Sequence, residues 1–220
     1  MYQWLSYPLG LTAPRPPAIP APSISEYMSI EADGANVQML QCYNHTGTHL
    51  DTAAHVLKNG TSIEDFDPED LIYHNISVIE LSLPDDTVVT GAHIAACKDM
   101  LCGCDALIIK FGAEKARAEQ HERFSSHMPG LSHDAARFIL ENAPRLRMIG
   151  TDSPSIACIN SLTETMTVHN FFFEHARYEK FIIIEEMKLD TDLSNIRELL
   201  VSPWLVEGMN SGPCVIWAVC

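Results

Sequence analysis

His45-Thr46-Gly47-Thr48-His49-Leu50-Asp51-Thr52-Ala53-Ala54-His55 brings three imidazoles and one carboxylate into eleven consecutive residues. Histidine is the commonest protein ligand of borderline metals, and an Asp carboxylate can bridge two ions. A lone His is more often an ordinary core or surface residue. Three of them with an Asp at this density indicate a site for Zn²⁺ or a similar divalent metal.

The spacing of these four residues predicts how the chain runs through them. All four occupy odd positions, so an extended chain would turn them to one face, whereas a continuous helix would set His45 and His49 nearly opposite Asp51 and His55. Gly47 argues against the continuous helix. We therefore predict a strand end or turn from His45 to His49, followed by a short helix in which Asp51 and His55 are one turn apart.

This stretch resembles the His-x-Gly-Thr-His-x-Asp-x-x-x-His signature of the cyclase family of metal-dependent hydrolases, which includes bacterial kynurenine formamidase and isatin hydrolase. The resemblance continues through most of the chain. It is carried by Pro129-Gly130-Leu131-Ser132 with Ala135-Ala136-Arg137, by Gly150-Thr151-Asp152-Ser153-Pro154-Ser155, by Met166-Thr167-Val168-His169 and by Ile183-Ile184-Glu185-Glu186-Met187.

Short apolar segments rich in β-branched residues alternate with helical patterns, which predicts an α/β layered fold. The predicted strands are Val37 to Tyr43, Ile76 to Leu81, Asp105 to Phe111, Arg147 to Gly150, Phe181 to Glu185 and Pro213 to Val219. The predicted helices are Gly91 to Met100, Asp134 to Asn142 with Ser132 as N-cap, and Glu164 to Ala176. The resemblance implies the swivelling β/β/α architecture in a single domain, residues 36–220, preceded by an arm, residues 1–35.

The arm contains five prolines between Pro14 and Pro22, which favours an extended segment. A polyproline linker or a ligand for a partner protein is one interpretation. The resemblance implies another, in which the arm reaches over an active site, often that of a neighbouring subunit, and contributes an aromatic side chain. In kynurenine formamidases that aromatic is a Trp, but Thr12 to Pro20 contains none, so the substrate does not carry over from the resemblance.

Two further segments are less informative. Glu114 to Met128 is polar without a clear period, which predicts a long loop that either lines the pocket or is a surface excursion. Cys97, Cys102 and Cys104 form a thiol cluster in the turn between a helix and a strand, and we interpret them as small packing residues rather than as metal ligands.

Glu185 follows the apolar run Phe181-Ile182-Ile183-Ile184, where a charge is costly unless it is paired or coordinates a metal. The resemblance pairs such a Glu with a His on a preceding helix. Met166-Thr167-Val168 favours His169, although its separation from Glu185 is longer than in the family, so His175 remains the alternative. Glu186 is interpreted as a solvated neighbour.

The resemblance implies two divalent ions per chain, Zn²⁺ or Mn²⁺. His45, His49 and Asp51 would hold the first ion, while Asp51, His169 and Glu185 would complete the second site. A metal lowers the pKa of bound water, so hydroxide is available to attack an amide or lactam carbonyl, and His55 would carry the proton to the departing nitrogen. The alternatives are a non-hydrolytic cyclase or dehydratase and a catalytically silent metal-binding homologue.

Net charge and cysteine usage restrict the partners and the compartment. The formal charge of −15 argues against nucleic acid and anionic membranes as partners and leaves a small-molecule substrate. Seven cysteines form no paired framework and no apolar leader is apparent, which together predict a cytoplasmic protein. The resemblance implies a homodimer or homotetramer.

Overall fold

The computed structural model describes residues 1–15 and 19–220. The strands are β1 Tyr2–Trp4, β2 Ser23–Met28, β3 Val37–Gln41, β4 His49–Asp51, β5 Ile72–Tyr73, β6 Ile76–Glu80, β7 Val88–Val89, β8 Ala106–Lys110, β9 Gly130–Leu131, β10 Met148–Thr151, β11 Ile182–Glu185, β12 Glu198–Pro203 and β13 Ser211–Val219. The helices are α1 Ile30–Asp33, α2 Gly91–Ile94, α3 Lys98–Leu101, α4 Glu114–Glu119, α5 His121–His127, α6 His133–Asn142 and α7 Leu162–His175.

The main sheet is mixed and runs in the order β5-β12-β13-β4-β11-β10-β8-β6, with β1 also paired to β13. Strands β6, β8, β10 and β11 are parallel neighbours, whereas β4 is antiparallel to both β11 and β13. The inner parallel strands β8, β10 and β11 are buried almost throughout, on both faces, whereas β6 at the edge is only partly buried. In this order β4 lies in the middle of the sheet, between the antiparallel strand β13 and the parallel group that begins with β11.

Alternate residues of the parallel strands pack into two separate cores. Ile183 belongs to the core on the helical side of the sheet, together with Phe172 of α7. Ile182 and Ile184 point the other way, into a core that includes Ile216 of β13. This period-two division follows from the pleat of a strand. The predicted α/β class is confirmed.

Two of the predicted helices are capped by serine. The Ser132 hydroxyl accepts a hydrogen bond from the Ala135 N–H at 3.2 Å, as predicted for the start of α6. The Ser161 hydroxyl accepts from the Glu164 N–H at the start of α7. The predicted helix from Gly91 to Met100 is instead divided into α2, a 3-10 turn over Ala95–Cys97, and α3.

The prediction of a long loop from Glu114 to Met128 is wrong, because this segment forms α4 and α5. The two helices are separated at Gln120, whose φ of −135° and ψ of 62° interrupt the helical backbone. Ala116 and Phe124 are fully buried in the helical-side core. Helices of six and seven residues are too short to show a clear period in the sequence.

The N-terminal residues contribute to the main sheet through β1, and Leu5 is completely buried in the core beneath it. Strand β3 was predicted, but it pairs with β2 in an exposed hairpin outside the main sheet. Residues 16–18 of the predicted extended arm lie outside the described residues, and the division at residue 35 stays a prediction.

The three clustered cysteines lie close to where they were predicted. Cys104 is a buried packing residue whose thiol donates to the Leu101 carbonyl, and Cys97, at the end of the preceding 3-10 turn, is partly buried. Cys102 is exposed in the turn, so the interpretation of it as a packing residue is wrong. Within the part of the chain that is described, no helix combines the length and the apolar character that crossing a bilayer requires.

Candidate metal centre

Strand β4 places His49 and Asp51 side by side on one face of the sheet. The strand is paired on both sides, with His49 opposite Glu185 of β11 and Asp51 opposite Ser211 of β13. Leu50 points to the other face and packs in the apolar core. The prediction that Asp51 lies on a short helix with His55 is wrong in this respect, because pairing with two neighbours extends the strand through Asp51.

The remaining parts of the predicted motif are as expected. The segment before His49 turns at Gly47, whose φ of 68° favours glycine. A 3-10 turn over Ala53–His55 follows the strand and ends at His55. The rings of His45 and His55 have centroids 4.5 Å apart, so the two ends of the motif meet.

His45, His49 and Asp51 form the first triad, in which one potential ligand atom from each residue lies within 4.8 Å of the others. Asp51 Oδ1 is 3.2 Å from His45 Nδ1 and 4.0 Å from His49 Nε2. Two imidazoles and one carboxylate are a common donor set for Zn²⁺ and similar ions.

Asp51, His169 and Glu185 form the second triad by the same criterion. Asp51 Oδ2 is 3.8 Å from His169 Nε2, and Glu185 Oε1 is 3.1 Å from that nitrogen. Asp51 thus directs Oδ1 toward His45 and His49 of the first triad and Oδ2 toward His169 of the second. The two triads share this carboxylate and lie next to each other.

Helix α7 brings His169 and not His175 to the centre. His169 is 5% exposed, whereas the side chain of His175 is 56% exposed and its ring lies against Phe171, with centroids 4.5 Å apart. His175 belongs to neither triad among the described residues.

Hydrogen bonds to the main chain orient two of the imidazoles. His49 Nδ1 lies 2.8 Å from the Gly47 carbonyl and His169 Nδ1 lies 2.7 Å from the Thr165 carbonyl. A ring whose Nδ1–H donates to a carbonyl keeps Nε2 free as an acceptor or metal ligand. Both Nε2 atoms face the shared carboxylate.

His45 is oriented in the opposite sense. Its Nε2 lies 3.1 Å from the hydroxyl of Ser211, which also contacts the side chain of Asn44. Nδ1 is therefore the nitrogen that faces Asp51. Sequence reasoning missed Ser211, and no motif around it signals this role.

Burial and charge act in opposite directions on these groups. Burial disfavours the charged form of His49, yet the carboxylates of Glu185, 3.2 Å from His49 Nε2, and of Asp51 prevail and raise the pKa of His49 to about 9. The same balance raises the pKa of His169 to about 9. Burial dominates at His45 and lowers its pKa to about 4. Burial also opposes ionisation of Glu185, but the His169 and His49 imidazoles, 3.1 and 3.2 Å from its oxygens, hold its pKa well below the usual range.

Three buried atoms at the centre have no hydrogen-bond partner within residues 1–15 and 19–220: His49 Nε2, Asp51 Oδ1 and Asp51 Oδ2. Burying unpaired polar atoms is costly, and native proteins rarely leave them so. A cation between the triads would satisfy all three atoms at once. The donor set and its unpaired atoms therefore fit one or two divalent ions.

A cleft of about 230 Å³ opens onto the two triads. The five triad residues and His55 form its polar end, together with Glu186 and Ser155. Its apolar wall consists of Ile19, Val56, Pro154, Ile159 and Met166. Ile19 belongs to the proline-rich segment, so this segment borders the cleft with an aliphatic side chain.

Glu186 is not the solvated neighbour that was predicted. Glu186 is 4% exposed and forms an ion pair with Arg117. Arg117 lies on α4, in the segment that was predicted to be a loop. The argument that a charge at the end of a buried strand needs a partner applies to Glu186 as well as to Glu185, and could have identified it. Nothing in the sequence singled out Arg117.

The family comparison agrees with this geometry. A family described as "Putative cyclase" matches residues 4–157, which is more than half of the chain. The chain belongs to the cyclase family. The membership predicted from the metal motif and its downstream segments is confirmed.

Relatives of this chain include Kynurenine formamidase of Bacillus cereus, which is 25% identical over 185 residues that cover 83% of this chain and 79% of the relative. Cyclase-like protein 3 of Oryza sativa is 22% identical over 185 residues, covering 83% of this chain and 66% of the relative.

Two solved structures superimpose on nearly the whole chain. Isatin hydrolase A from Ralstonia solanacearum has a TM-score of 0.80 at 16% identity and covers 99% of this chain and 91% of its own. A potential metal-dependent hydrolase with cyclase activity has a TM-score of 0.74 at 20% identity, covering 99% and 96%. The predicted likeness to the fold of this family is confirmed.

Proposed function

We propose that this chain is a metal-dependent hydrolase that cleaves a C–N bond in a small amide, formamide or lactam. The observation that carries the proposal is the division of the Asp51 carboxylate, one oxygen toward His45 and the other toward His169. A carboxylate shared in this way suits two neighbouring ions. Similarity to kynurenine formamidases in sequence and to isatin hydrolases in fold supports amide chemistry.

The five triad residues would hold the cofactor. His45, His49 and Asp51 suit the first ion, and Asp51, His169 and Glu185 suit the second, either Zn²⁺ or Mn²⁺. When bound, such ions polarise a carbonyl oxygen and make water nucleophilic at neutral pH. No Ser or Cys nucleophile is needed for this chemistry.

His55 is the residue that we assign to proton transfer. Its ring lines the cleft between His45 and His169, with centroid distances of 4.5 and 6.0 Å. It belongs to neither triad, and its ring forms no hydrogen bond to the described part of the chain. His55 is therefore available to take a proton from the attacking water and deliver it to the departing nitrogen.

The rest of the cleft favours a small substrate with an apolar group. Ile19, Val56, Ile159 and Met166 supply an aliphatic wall opposite the polar end. A carbonyl placed between the triads and His55 leaves the apolar part of the substrate against this wall.

A hydrolysis screen tests the proposal. The purified protein, stripped with a chelator and reloaded with Zn²⁺ or Mn²⁺, is offered a panel of formamides, aliphatic and aromatic amides, and lactams, and carboxylate release is measured. We expect metal-dependent release from at least one class. Turnover without carboxylate release would instead indicate a non-hydrolytic cyclase or dehydratase, and metal binding without any turnover would indicate a silent homologue.

A further inference from the structure

Glu186 directly follows the second-triad residue Glu185 and has an unusual backbone. Its φ of 58° lies in the left-handed region, which residues other than glycine seldom adopt. Its N–H donates to the Ser153 carbonyl at 2.9 Å. Such a conformation persists only where surrounding contacts impose it, and Glu186 itself lines the cleft.

Arg117 supplies the strongest of these contacts. Its Nε and Nη2 both donate to Glu186 Oε1, at 2.8 and 2.6 Å. The guanidinium also stacks over the ring of Tyr7, 3.6 Å from the ring centroid. The Arg117 and Glu186 side chains are only 13% and 5% exposed, so little solvent screens the pair. Charge-assisted bonds of this kind are shorter and stronger than neutral ones.

Thr48 connects the pair to the first triad. Its hydroxyl donates to the Glu186 carbonyl at 2.6 Å and accepts from the Tyr7 N–H at 3.0 Å. Thr48 immediately precedes His49, and His49 lies opposite Glu185 where β4 pairs with β11. Arg117 and Thr48 thus both contact Glu186, the residue after Glu185, and Thr48 is itself the residue before His49.

We infer that Arg117, acting through Glu186, is a positioning residue for the metal centre, holding Glu185 and His49 in the orientation that binds the ions. The inference rests on the metal site of the proposed function and adds residues outside both triads. Arg117 also neutralises the charge of Glu186 and binds its Oε1, and Glu186 lines the same cleft, where a free carboxylate would compete for metal. Replacing a residue that orients a metal ligand, without itself binding the metal, typically lowers metal affinity by about 10–100-fold.

The alternative is a structural role alone, in which the ion pair merely fastens α4 to the sheet. A structural role would lower the melting temperature of the chelator-treated protein without changing its affinity for metal. A positioning role weakens metal binding and reduces the rise in melting temperature that metal produces. Metal affinity therefore separates the two roles.

The test uses the full chain and Zn²⁺ or Mn²⁺ alone, with affinity measured by competition against a chromogenic chelator. Arg117→Met and Thr48→Val should each weaken binding of at least one ion by about 10-fold or more, and Arg117→Lys should fall between wild type and Arg117→Met. The matched control is Arg123→Met, which breaks the exposed Arg123 to Asp85 pair on the neighbouring helix and should leave affinity unchanged.

Wild-type affinity in both Arg117→Met and Thr48→Val would overturn the inference while leaving the proposed metal site intact. Failure of the wild-type protein to bind either metal would overturn the proposed function and the inference with it. If Arg117→Met does not fold, Arg117→Lys and the isosteric Thr48→Val decide the question.

Discussion

Asp51 Oδ2 lies 3.8 Å from His169 Nε2, which joins the middle strand of the main sheet to helix α7 at the floor of the cleft. The other oxygen of the same carboxylate is 3.2 Å from His45. Asp51 belongs to β4 and is paired with β11 on one side and with β13 on the other, so its position depends on the sheet and not on a mobile loop. A single rigid carboxylate therefore sets the relative position of both triads.

His49→Ala should release metal and lower the stability of the metal-loaded protein, because a ligand that binds only the folded state stabilises it. At a metal concentration of 100 times Kd this linkage is worth about 2.7 kcal/mol. Metal analysis and thermal melts with and without chelator check the effect. The control is His175→Ala, an exposed residue outside both triads. An unchanged metal content in His49→Ala would contradict the assignment.

His55→Ala should retain the metal and lower kcat by roughly 10² to 10⁴, the usual contribution of a general acid–base group. The reason is its place on the cleft beside, but not within, the triads. Steady-state kinetics on a substrate from the hydrolysis screen, together with metal analysis, make the comparison. Loss of metal from this variant would instead make His55 a ligand.

Gly60→Ala should lower both activity and melting temperature, because a Cβ at residue 60 would collide with the backbone of Ala53 and Ala54. These residues form the 3-10 turn that ends at His55. Gly103→Ala is the matched control, since a Cβ there would meet nothing within 4 Å. Equal behaviour of the two variants would show that the turn accommodates the methyl group.

Much of the centre could be predicted from local sequence, because five of its residues lie in recognisable settings. The dense motif predicted His45, His49, Asp51 and His55, and the charge after an apolar strand predicted Glu185. The strand through Asp51 was missed because its pairing partners, β11 and β13, are far away in sequence. Pattern within the motif cannot reveal partners of that kind.

The supporting residues were missed for a related reason. Arg117 lies on a helix of six residues, too short to show a period, and it meets Glu186 only through tertiary packing. Ser211 acts on His45 across the β4 and β13 pairing. The contacts that orient the candidate metal ligands are therefore long-range, whereas the candidate ligands themselves carry local signals.

Tyr73→Phe should be neutral or stabilising at pH 7, by up to about 1–3 kcal/mol, because the Tyr73 hydroxyl is buried without a hydrogen-bond partner among the described residues. Burial raises the pKa of Tyr73 above its ordinary value of 10.0. The folded protein therefore keeps the neutral phenol where the unfolded chain ionises. The contribution of Tyr73 to the free energy of unfolding is therefore complete below pH 10, and it is lost as the pH rises above 10.

Denaturant unfolding at pH 7 and at several values above pH 10 measures the effect of Tyr73→Phe. The variant should lose less stability than the wild type across the alkaline range. Tyr27→Phe is the control, because that side chain is 78% exposed. An identical alkaline decline in the wild type and Tyr73→Phe would show that Tyr73 does not contribute to it.

The most direct test of the shared carboxylate is metal stoichiometry, measured on the wild type, His169→Ala and Glu185→Gln after reloading with Zn²⁺ or Mn²⁺. If Asp51 serves two ions about 3.5–4 Å apart, the wild type should hold two per chain. Both variants should hold one, retained by His45, His49 and Asp51. One ion per chain in the wild type, unchanged in His169→Ala, would contradict the paired centre.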